Sequence, residues 1–228
     1  MNPAYTQRTR LLLGDAAMDR LADARVVLVG VGGVGGPCAE ALCRSGLGRL
    51  TIIDGDTVEP SNLNRQPAAD RLTLGRSKAE AMAERLRGVS DTLVDPVAVF
   101  LTPDNAARFV PEADCIVDAV DDVPAKAALA LLARERGVHI LACLGSGNRL
   151  DPARLTVTDI YRTAGDPLAR RLRHELRRMG VGALPCVYSD EPPRVQPGQR
   201  QVGSYMPVTA SAGLLAAAWV IERIISGS

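Results

Sequence analysis

The sequence is poor in aromatic residues and has no closely spaced cysteine pairs. Aromatic residues make up 3% of its 228 residues, against 46% for apolar residues as a whole. We therefore expect a core packed by alanine, valine, leucine and isoleucine, as in buried parallel sheets. The five cysteines stand at irregular spacing, which argues against a secreted disulfide scaffold and against a four-thiolate zinc site.

The net charge of the chain is small, and we expect no signal segment. The formal net charge is +1, and the N-terminus is polar and arginine-bearing. One apolar run, residues 209–221, ends at Glu222 and Arg223, short of the roughly 20 residues that a membrane span requires. We interpret residues 208–225 as a buried core helix or a dimer helix, and we expect a cytoplasmic protein with no membrane partner.

What the sequence does contain is a regular alternation of short apolar strands and helical segments. This pattern predicts an α/β fold with a doubly wound, mainly parallel Rossmann-like sheet and a small C-terminal annex. We treat residues 1–228 as a single domain, with a core of about residues 1–145 and an annex of about residues 146–228. The annex is predicted to hold a half-exposed strand at 155–158 and, because residues 180–203 are rich in proline and glycine, a loop there. The predicted strands of the core are 25–29, 50–53, 95–100, 115–118 and 139–143, and its predicted helices are 14–22, 34–44, 77–87, a short one ending at 110, and 124–136.

A glycine-rich turn follows the first predicted strand. Its glycines allow a sharp turn into a helix and a close approach of the backbone to a phosphate, which the helix N-terminus attracts. Asp54 follows the next strand, where a carboxylate can bind ribose hydroxyls. These residues predict a nucleotide site, but on their own they fit an NAD or FAD dehydrogenase equally well. The predicted nucleotide-binding glycines are Gly30, Gly32, Gly33 and Gly35.

Two cationic residues further along the chain favour a different chemistry. Arg65 and Lys78 both follow the second strand, near the edge of the sheet where ligands bind. Hydride transfer leaves the pyrophosphate of NAD intact, whereas nucleotidyl transfer builds negative charge on phosphate oxygens and on the leaving pyrophosphate. Asn62 can polarise a phosphoryl oxygen or hold an attacking carboxylate. The sequence therefore favours attack at the α-phosphorus of a nucleoside triphosphate.

Two adjacent aspartates follow the fourth predicted strand. Asp121 can hold Mg²⁺ against the β- and γ-phosphates of the nucleotide. Either Asp121 or Asp122 can instead serve as the N-cap of the helix that starts near Pro124. The sequence leaves these interpretations open.

Taken together, these motifs resemble the adenylation core of the ubiquitin-activating, ThiF, MoeB and HesA superfamily. The resemblance implies that a carboxylate attacks ATP to give an acyl-adenylate and pyrophosphate, with ATP and Mg²⁺ as cofactors. It implies that Asp54 binds ribose and that Asn62, Arg65 and Lys78 contact the triphosphate, while Asp121 manages Mg²⁺; Asp56 is counted among the nucleotide-binding residues. The segments that carry the resemblance are 30–35, 54–58, 61–66, 75–78 and 118–121.

The N-terminal arginines bear on assembly. Arg8 resembles the arginine with which one subunit of such a dimer reaches the ATP of the other subunit, and Arg10 competes for that role. A homodimer in which Arg8 is a catalytic residue is therefore expected from the resemblance.

The second half of the chain resembles the tRNA threonylcarbamoyladenosine dehydratase branch, which closes the threonylcarbamoyl group on adenosine 37 of tRNA into a ring. Segments 155–160 and 163–177 carry this resemblance, and it implies a tRNA partner. One alternative is adenylation of the C-terminal glycine of a sulfur-carrier protein, with a sulfur-carrier or cysteine desulfurase-type partner. The missing Cys-x-x-Cys pairs of ThiF and MoeB count against that alternative. Another is a Rossmann module that binds NAD or RNA without catalysis.

A basic segment lies inside this second half. Residues 162–178 contain six arginines against two acidic residues, a local net charge of +4. Asp166 and Pro167 suit the start of a helix, on which the arginines surround an apolar stripe. This helix face is either an ordinary solvated surface or a contact for the tRNA backbone. The predicted tRNA-binding residues are Arg170, Arg171, Arg173, Arg177 and Arg178.

Three further residues stay open at this level. Cys186 lies in the predicted loop and can accept an activated acyl group, although no basic residue next to it lowers its pKa. Arg149 and Asp151 follow a glycine turn and fit either a substrate contact or a salt bridge within the turn.

Overall fold

The computed structural model describes residues 4–227, which include one seven-stranded sheet. The strand order is β3-β2-β1-β4-β5-β7-β6, and every neighbouring pair is parallel except β6 and β7. The chain reverses its direction of progress across the sheet between β1 and β4, which is where open α/β sheets bind ligands. The strands are β1 Arg25–Val29, β2 Arg49–Ile53, β3 Leu93–Val97, β4 Cys115–Asp118, β5 His139–Cys143, β6 Leu155–Asp159 and β7 Pro185–Ser189.

Helices cover both faces of this sheet, and several start at side-chain caps. Ser77 accepts a hydrogen bond from the backbone of Glu80, and Asp122 accepts one from Ala125, so each satisfies a backbone N–H group that the helix leaves unpaired. The α-helices are α1 Gln7–Leu13, α2 Asp15–Asp23, α3 Gly35–Ser45, α4 Lys78–Arg87, α5 Ala106–Phe109, α6 Val123–Arg136, α7 Pro167–Arg178 and α8 Met206–Ser226. Short 3₁₀ helices span Pro60–Asn62, Pro152–Arg154 and Ile160–Arg162.

The core is packed almost wholly by aliphatic side chains, as the composition predicts. Val26, Leu28 and Ile52 of the central strands are buried against α3 and α8, while Val27 and Val29 face α5 and α6. Burying both faces of the parallel strands explains why they read as continuous apolar runs.

Helix α8 is the one helix within residues 4–227 that is long and apolar enough to cross a membrane. In the fold it lies against α3, and a side chain at Gly213 would come within 2.2 Å of the Val34 carbonyl oxygen. Val208, Ala212 and Ala216 of the same helix face are buried in the core. This close packing supports the interpretation of α8 as a core helix.

The predicted α/β architecture is confirmed, and β1, β4 and β5 have the predicted bounds. Two predictions about local structure were wrong. Residues 180–203 were predicted to be a loop, but β7 lies there and pairs with β5 on one side and β6 on the other. Pro185 is tolerated because it is the first residue of that strand. The third strand was predicted at 95–100 and instead spans Leu93–Val97, because its register is set by pairing with β2.

Candidate active site

The glycine turn after β1 is shaped by backbone contacts that no side chain could share. Gly30 has a φ of +88°, and a Cβ there would lie 2.8 Å from the Ala119 carbonyl oxygen. A Cβ on Gly35 would lie 1.8 Å from the carbonyl oxygen of Gly30. The strand ends of β1 and β4 therefore meet closely, and the turn feeds directly into α3. In the first turn of α3, the N–H groups of Gly36 and Cys38 already donate to the carbonyl oxygens of Gly32 and Val34. The predicted attraction of an anion therefore falls to the positive end of the helix dipole.

Asp54 stands at the end of β2, next to this turn. Its two carboxylate oxygens accept hydrogen bonds from the backbone N–H groups of Val31, at 2.8 Å, and Asp56, at 2.9 Å. Burial raises the pKa of the Asp54 carboxyl, and these hydrogen bonds oppose the rise. Because a carboxylate oxygen has more than one acceptor position, Asp54 fixes the glycine turn and still has capacity for a ribose hydroxyl.

Lys78 is held in place by Asp56. Its Nζ lies 2.8 Å from Asp56 Oδ2, and its backbone N–H donates to the Asp56 carbonyl oxygen at 2.9 Å. The Lys78 side chain is 9% exposed, whereas that of Asp56 is 53% exposed. Asp56 therefore binds the Lys78 ammonium and positions it at the first turn of α4.

Arg65 is also fixed before any ligand binds. Its Nη1 donates to the Ser61 carbonyl oxygen at 2.9 Å and to Asn64 Oδ1 at 2.8 Å. Its Cγ lies 3.2 Å from the position that a Cβ of Gly33 would take. The structure therefore brings Arg65 to the glycine turn.

Asn62 builds the turn that presents Arg65. Its Oδ1 accepts from the Glu59 N–H at 3.0 Å, and its carbonyl oxygen accepts from the Arg65 N–H at 3.1 Å. The residue is 5% exposed. Asn62 therefore stabilises the turn that carries Arg65, in addition to its predicted contact with the nucleotide.

The two aspartates after β4 have different environments. Asp122 is the N-cap of α6, with a 2.9 Å hydrogen bond from the Ala125 N–H. Asp121 is exposed and makes no hydrogen bond or ion pair with any residue between 4 and 227. The N-cap interpretation therefore belongs to Asp122, and the Asp121 carboxylate is free to act on a ligand.

One charged pair at the strand ends was missed in the sequence. Lys126 Nζ lies 3.0 Å from Asp118 Oδ2, and both side chains are fully buried. The same ammonium donates to the Cys143 carbonyl oxygen at 2.8 Å, so it joins the ends of β4 and β5. Burial raises the pKa of the Asp118 carboxyl, and Lys126 opposes that rise. A lone lysine in the alanine-rich start of α6 is the only sequence signal for this pair.

Of the two N-terminal arginines, one forms an ion pair and the other is exposed. Arg10 forms an ion pair with Asp15 at 2.5 Å. Arg8 is exposed on α1. This difference favours Arg8 over Arg10 as the arginine that reaches outward.

Some arginines of α7 are bound by other residues of the protein, and others face an open groove. The Arg173 guanidinium donates to the Thr163 carbonyl and hydroxyl oxygens and to the Ile160 carbonyl oxygen. Arg177 stacks on the ring of Tyr161 at 5.2 Å, and Arg178 pairs with Glu175 at 3.0 Å. Arg170 and Arg171 instead line an open groove of about 590 Å³, together with Pro103, Pro124 and His174. These two residues are the best placed of the predicted tRNA contacts.

Cys186 is not in a loop, as the sequence predicted, but in strand β7, between β5 and β6. It is fully buried in β7, and burial raises the pKa of its thiol to about 12. A thiol in this state is not a nucleophile near neutral pH. The structure gives no support to an acyl-accepting role for Cys186.

Comparison with known proteins shows the family to which the chain is similar over nearly its whole length. The model of the ThiF family matches residues 5–227. The tRNA threonylcarbamoyladenosine dehydratase of Escherichia coli is 39% identical over 204 residues, which cover 84% of this chain and 76% of that protein. The protein of the same name from Bacillus subtilis is 34% identical, over 82% of this chain and 75% of its own. The crystal structure of the Escherichia coli enzyme in complex with ATP superposes with a TM-score of 0.92 at 37% identity, covering 99% of this chain and 95% of that one.

Proposed function

Because the chain belongs to the ThiF family, we propose that it is an ATP-dependent tRNA threonylcarbamoyladenosine dehydratase, the activity that its similar relatives are named for. The observation that carries the proposal is the placement of Arg65 beside Gly33. An arginine whose side chain packs on the glycine turn, with its guanidinium oriented by Ser61 and Asn64, suits a reaction that breaks a triphosphate.

The first step is adenylation of the threonyl carboxylate. A carboxylate oxygen attacks the α-phosphorus of ATP, the bond to the bridging oxygen breaks, and pyrophosphate leaves. Arg65 and Lys78 stabilise the negative charge that builds on the phosphate oxygens. Both are already oriented, by Asn64 and Asp56 respectively, so little reorganisation is needed as the charge develops.

A divalent cation fits this site. Asp121 offers an exposed carboxylate without a partner among residues 4–227, and carboxylates together with phosphate oxygens are the ligands that Mg²⁺ prefers. When bound with ATP, Mg²⁺ neutralises charge on the phosphates, and Asp121 is the residue that would hold it.

The second step is ring closure. A nucleophile within the same modified base attacks the activated carbonyl carbon, and AMP leaves with the carboxylate oxygen it had bonded. The reacting groups belong to one molecule, so effective molarity replaces much of what a catalytic base would supply.

The assembly that this mechanism implies has two features. A second copy of the chain places Arg8 near the nucleotide of its partner, and Arg170 and Arg171 contact phosphates of the tRNA. The protein acts in the cytoplasm, where its substrate is found. A sulfur-carrier protein is the less favoured substrate, because the chain has no Cys-x-x-Cys pair.

The proposal is tested by incubating the protein with Mg·ATP and tRNA that carries threonylcarbamoyladenosine, followed by mass analysis of the digested nucleosides. Loss of one water from the modified nucleoside, dependent on ATP and matched by AMP release, is the expected result. No change in mass, together with pyrophosphate exchange on a small ubiquitin-fold protein, would assign the chain to the sulfur-carrier branch instead.

A further inference from the structure

A buried guanidinium whose Nε makes no hydrogen bond lies on the turn that follows β5. Arg149 is 5% exposed, and its side chain makes no hydrogen bond or ion pair with another residue in the range 4–227. The carboxylates of Asp190 and Glu191 lie within electrostatic range of Arg149. Asp190 is already paired with Arg154 at 2.7 Å, and Glu191 accepts from the N–H groups of Leu150 and Asp151 at 2.9 Å each. Buried charges in proteins are ordinarily paired or bound to a ligand. The guanidinium therefore has unused capacity for an anion.

A second unpartnered atom belongs to Asp166, the N-cap of α7, and faces Gly145 at the start of the turn that carries Arg149. Asp166 caps α7 with one oxygen, Oδ1, which accepts from Leu168 and Ala169 at 2.8 and 3.1 Å. Its other oxygen, Oδ2, is buried without a hydrogen bond and lies 3.5 Å from the position that a Cβ of Gly145 would take. Capping needs one oxygen only, so the second oxygen is available to a donor.

The turn from Gly145 to Arg149 leaves the sheet at the same edge as the residues predicted to bind the nucleotide. Asp118 of β4 pairs with Ala142 of β5, and Gly145 follows Ala142 by the same number of residues as Asp121 follows Asp118. Both segments therefore emerge at the carboxyl edge, where this class of sheet binds ligands.

Hydrogen bonds also tie this turn to Arg65. Asn148, the neighbour of Arg149, accepts from the Gly203 N–H at 2.7 Å. The next residue, Ser204, accepts from Asn64 Nδ2 at 2.8 Å, and Asn64 in turn accepts from Arg65. Hydrogen bonds thus link Arg65, the predicted phosphate contact, to the turn that carries Arg149.

We propose that Arg149 and Asp166 form the pocket for the threonylcarbamoyl group, with Arg149 binding its carboxylate and Asp166 Oδ2 accepting a hydrogen bond from one of its N–H or hydroxyl groups. This inference rests on the proposed function. A group that combines a carboxylate with several hydrogen-bond donors matches one free cation and one free acceptor. ATP alone needs neither, so the pocket selects the acyl substrate.

The test is Asp166→Asn, which keeps an oxygen for the cap and replaces the free carboxylate oxygen. Asp70→Asn is the matched control, because Asp70 Oδ1 accepts from Leu72 and Thr73 in the same pattern, at 2.7 and 2.9 Å, on the exposed surface. The kcat/KM for modified tRNA should fall at least about tenfold for Asp166→Asn, since hydrogen bonds to charged groups are worth that much, and should stay unchanged for Asp70→Asn. Stabilisation of either variant by ATP against heat should match that of the wild type.

A second substrate identifies the donor. With tRNA that carries the glycylcarbamoyl group, which lacks the hydroxyl, Asp166→Asn should cost as much as with the threonyl group if Asp166 binds an N–H. The penalty should vanish on the glycyl substrate if Asp166 binds the hydroxyl. Either pattern supports the pocket.

Arg149 provides an independent measurement. Arg149→Gln should raise the KM for modified tRNA by at least about tenfold, and Arg149→Lys, which keeps the charge, should raise it less and preserves the test if the glutamine variant unfolds. One result would overturn the pocket while leaving the proposed function standing. In that result the wild type dehydrates the modified tRNA, and Asp166→Asn, Arg149→Lys and a folded Arg149→Gln are all fully active. A wild-type protein that removes no water would overturn both together.

Discussion

The two halves of the carboxyl edge differ in how their polar groups are satisfied. On the nucleotide half, formed by the ends of β1, β2 and β4, the cations are held by the protein itself: Lys78 by Asp56, and Arg65 by Ser61 and Asn64. On the annex half, beside β5 and β7, Arg149 and one oxygen of Asp166 are buried without partners. The first half is organised before it binds anything, whereas the second half is completed by what it binds.

This difference follows from the two tasks. Charge develops on phosphate in the transition state, so prearranged cations give the largest benefit where ATP reacts. Recognition of a substrate depends instead on polar groups that only the correct ligand can satisfy, because a poor ligand leaves them buried and unpaired. Four sets of substitutions test this comparison, described from the largest expected effect to the smallest.

Lys126→Met should have the largest effect, on stability, because it leaves the fully buried Asp118 without its partner. Removing one member of a buried ion pair typically costs about 3–5 kcal/mol in the free energy of unfolding, measured here by urea denaturation. Burial already raises the pKa of Asp118, and the substitution raises it further. An acid whose pKa is raised on folding loses stability as pH rises, so the penalty should shrink as the pH is lowered from about 8 towards 5.

The double variant Lys126→Met with Asp118→Asn is the control for this prediction. It removes both charges and should recover a large part of the lost stability. A single variant as stable as the wild type at every pH would show that the pair does not hold the ends of β4 and β5 together.

Arg65→Ala should nearly abolish pyrophosphate release, lowering kcat by about 10²–10³, the usual cost of losing one group that stabilises transition-state charge. Arg71→Ala, an exposed arginine in the same loop, is the matched control and should keep wild-type turnover. Near-normal turnover in folded Arg65→Ala would remove Arg65 from the phosphate site.

Charge reversal on α7 should weaken RNA binding without affecting ATP. The double variant Arg170→Glu and Arg171→Glu should lower tRNA affinity by at least about tenfold and reduce the slope of affinity against salt, because each contact releases counterions from the phosphate backbone. Arg20→Glu with Arg108→Glu, two exposed arginines on other elements, is the control of equal charge change. Equal affinities of the two double variants across a salt series would assign the basic face of α7 to solvent.

The adjacent aspartates after β4 should separate activity from stability. Asp122→Ala removes the cap of α6 and should lower the free energy of unfolding by about 1 kcal/mol, with turnover little changed. Asp121→Asn should do the reverse, raising the Mg²⁺ concentration needed for half-maximal activity while leaving the unfolding curve in place. If Asp121→Asn lowers stability and Asp122→Ala raises the Mg²⁺ requirement, then Asp121 is the cap and Asp122 is the residue that acts on Mg²⁺.

Sequence reasoning predicted the placement of residues that are close together in the chain. The glycine turn, Asp54, Asn62, Arg65 and Lys78 all lie within two strand-to-helix connections, so their meeting at one edge follows from parallel topology. It failed for residues 180–203, because proline and glycine content reports local preference, whereas β7 exists by pairing with strands on both sides.

By itself, then, the sequence determined the α/β architecture and the family, and it predicted a nucleotide edge, because strand periodicity and short motifs depend on neighbours along the chain. Only the tertiary structure decided which charged groups are paired within the protein. It paired Lys126 with Asp118, bound Arg173 to Thr163, and left Arg149 and Asp166 Oδ2 without partners. The physical reason is that burial and partnership of a charged group are set by segments far away in sequence, and they decide whether that group supports the fold or awaits a ligand.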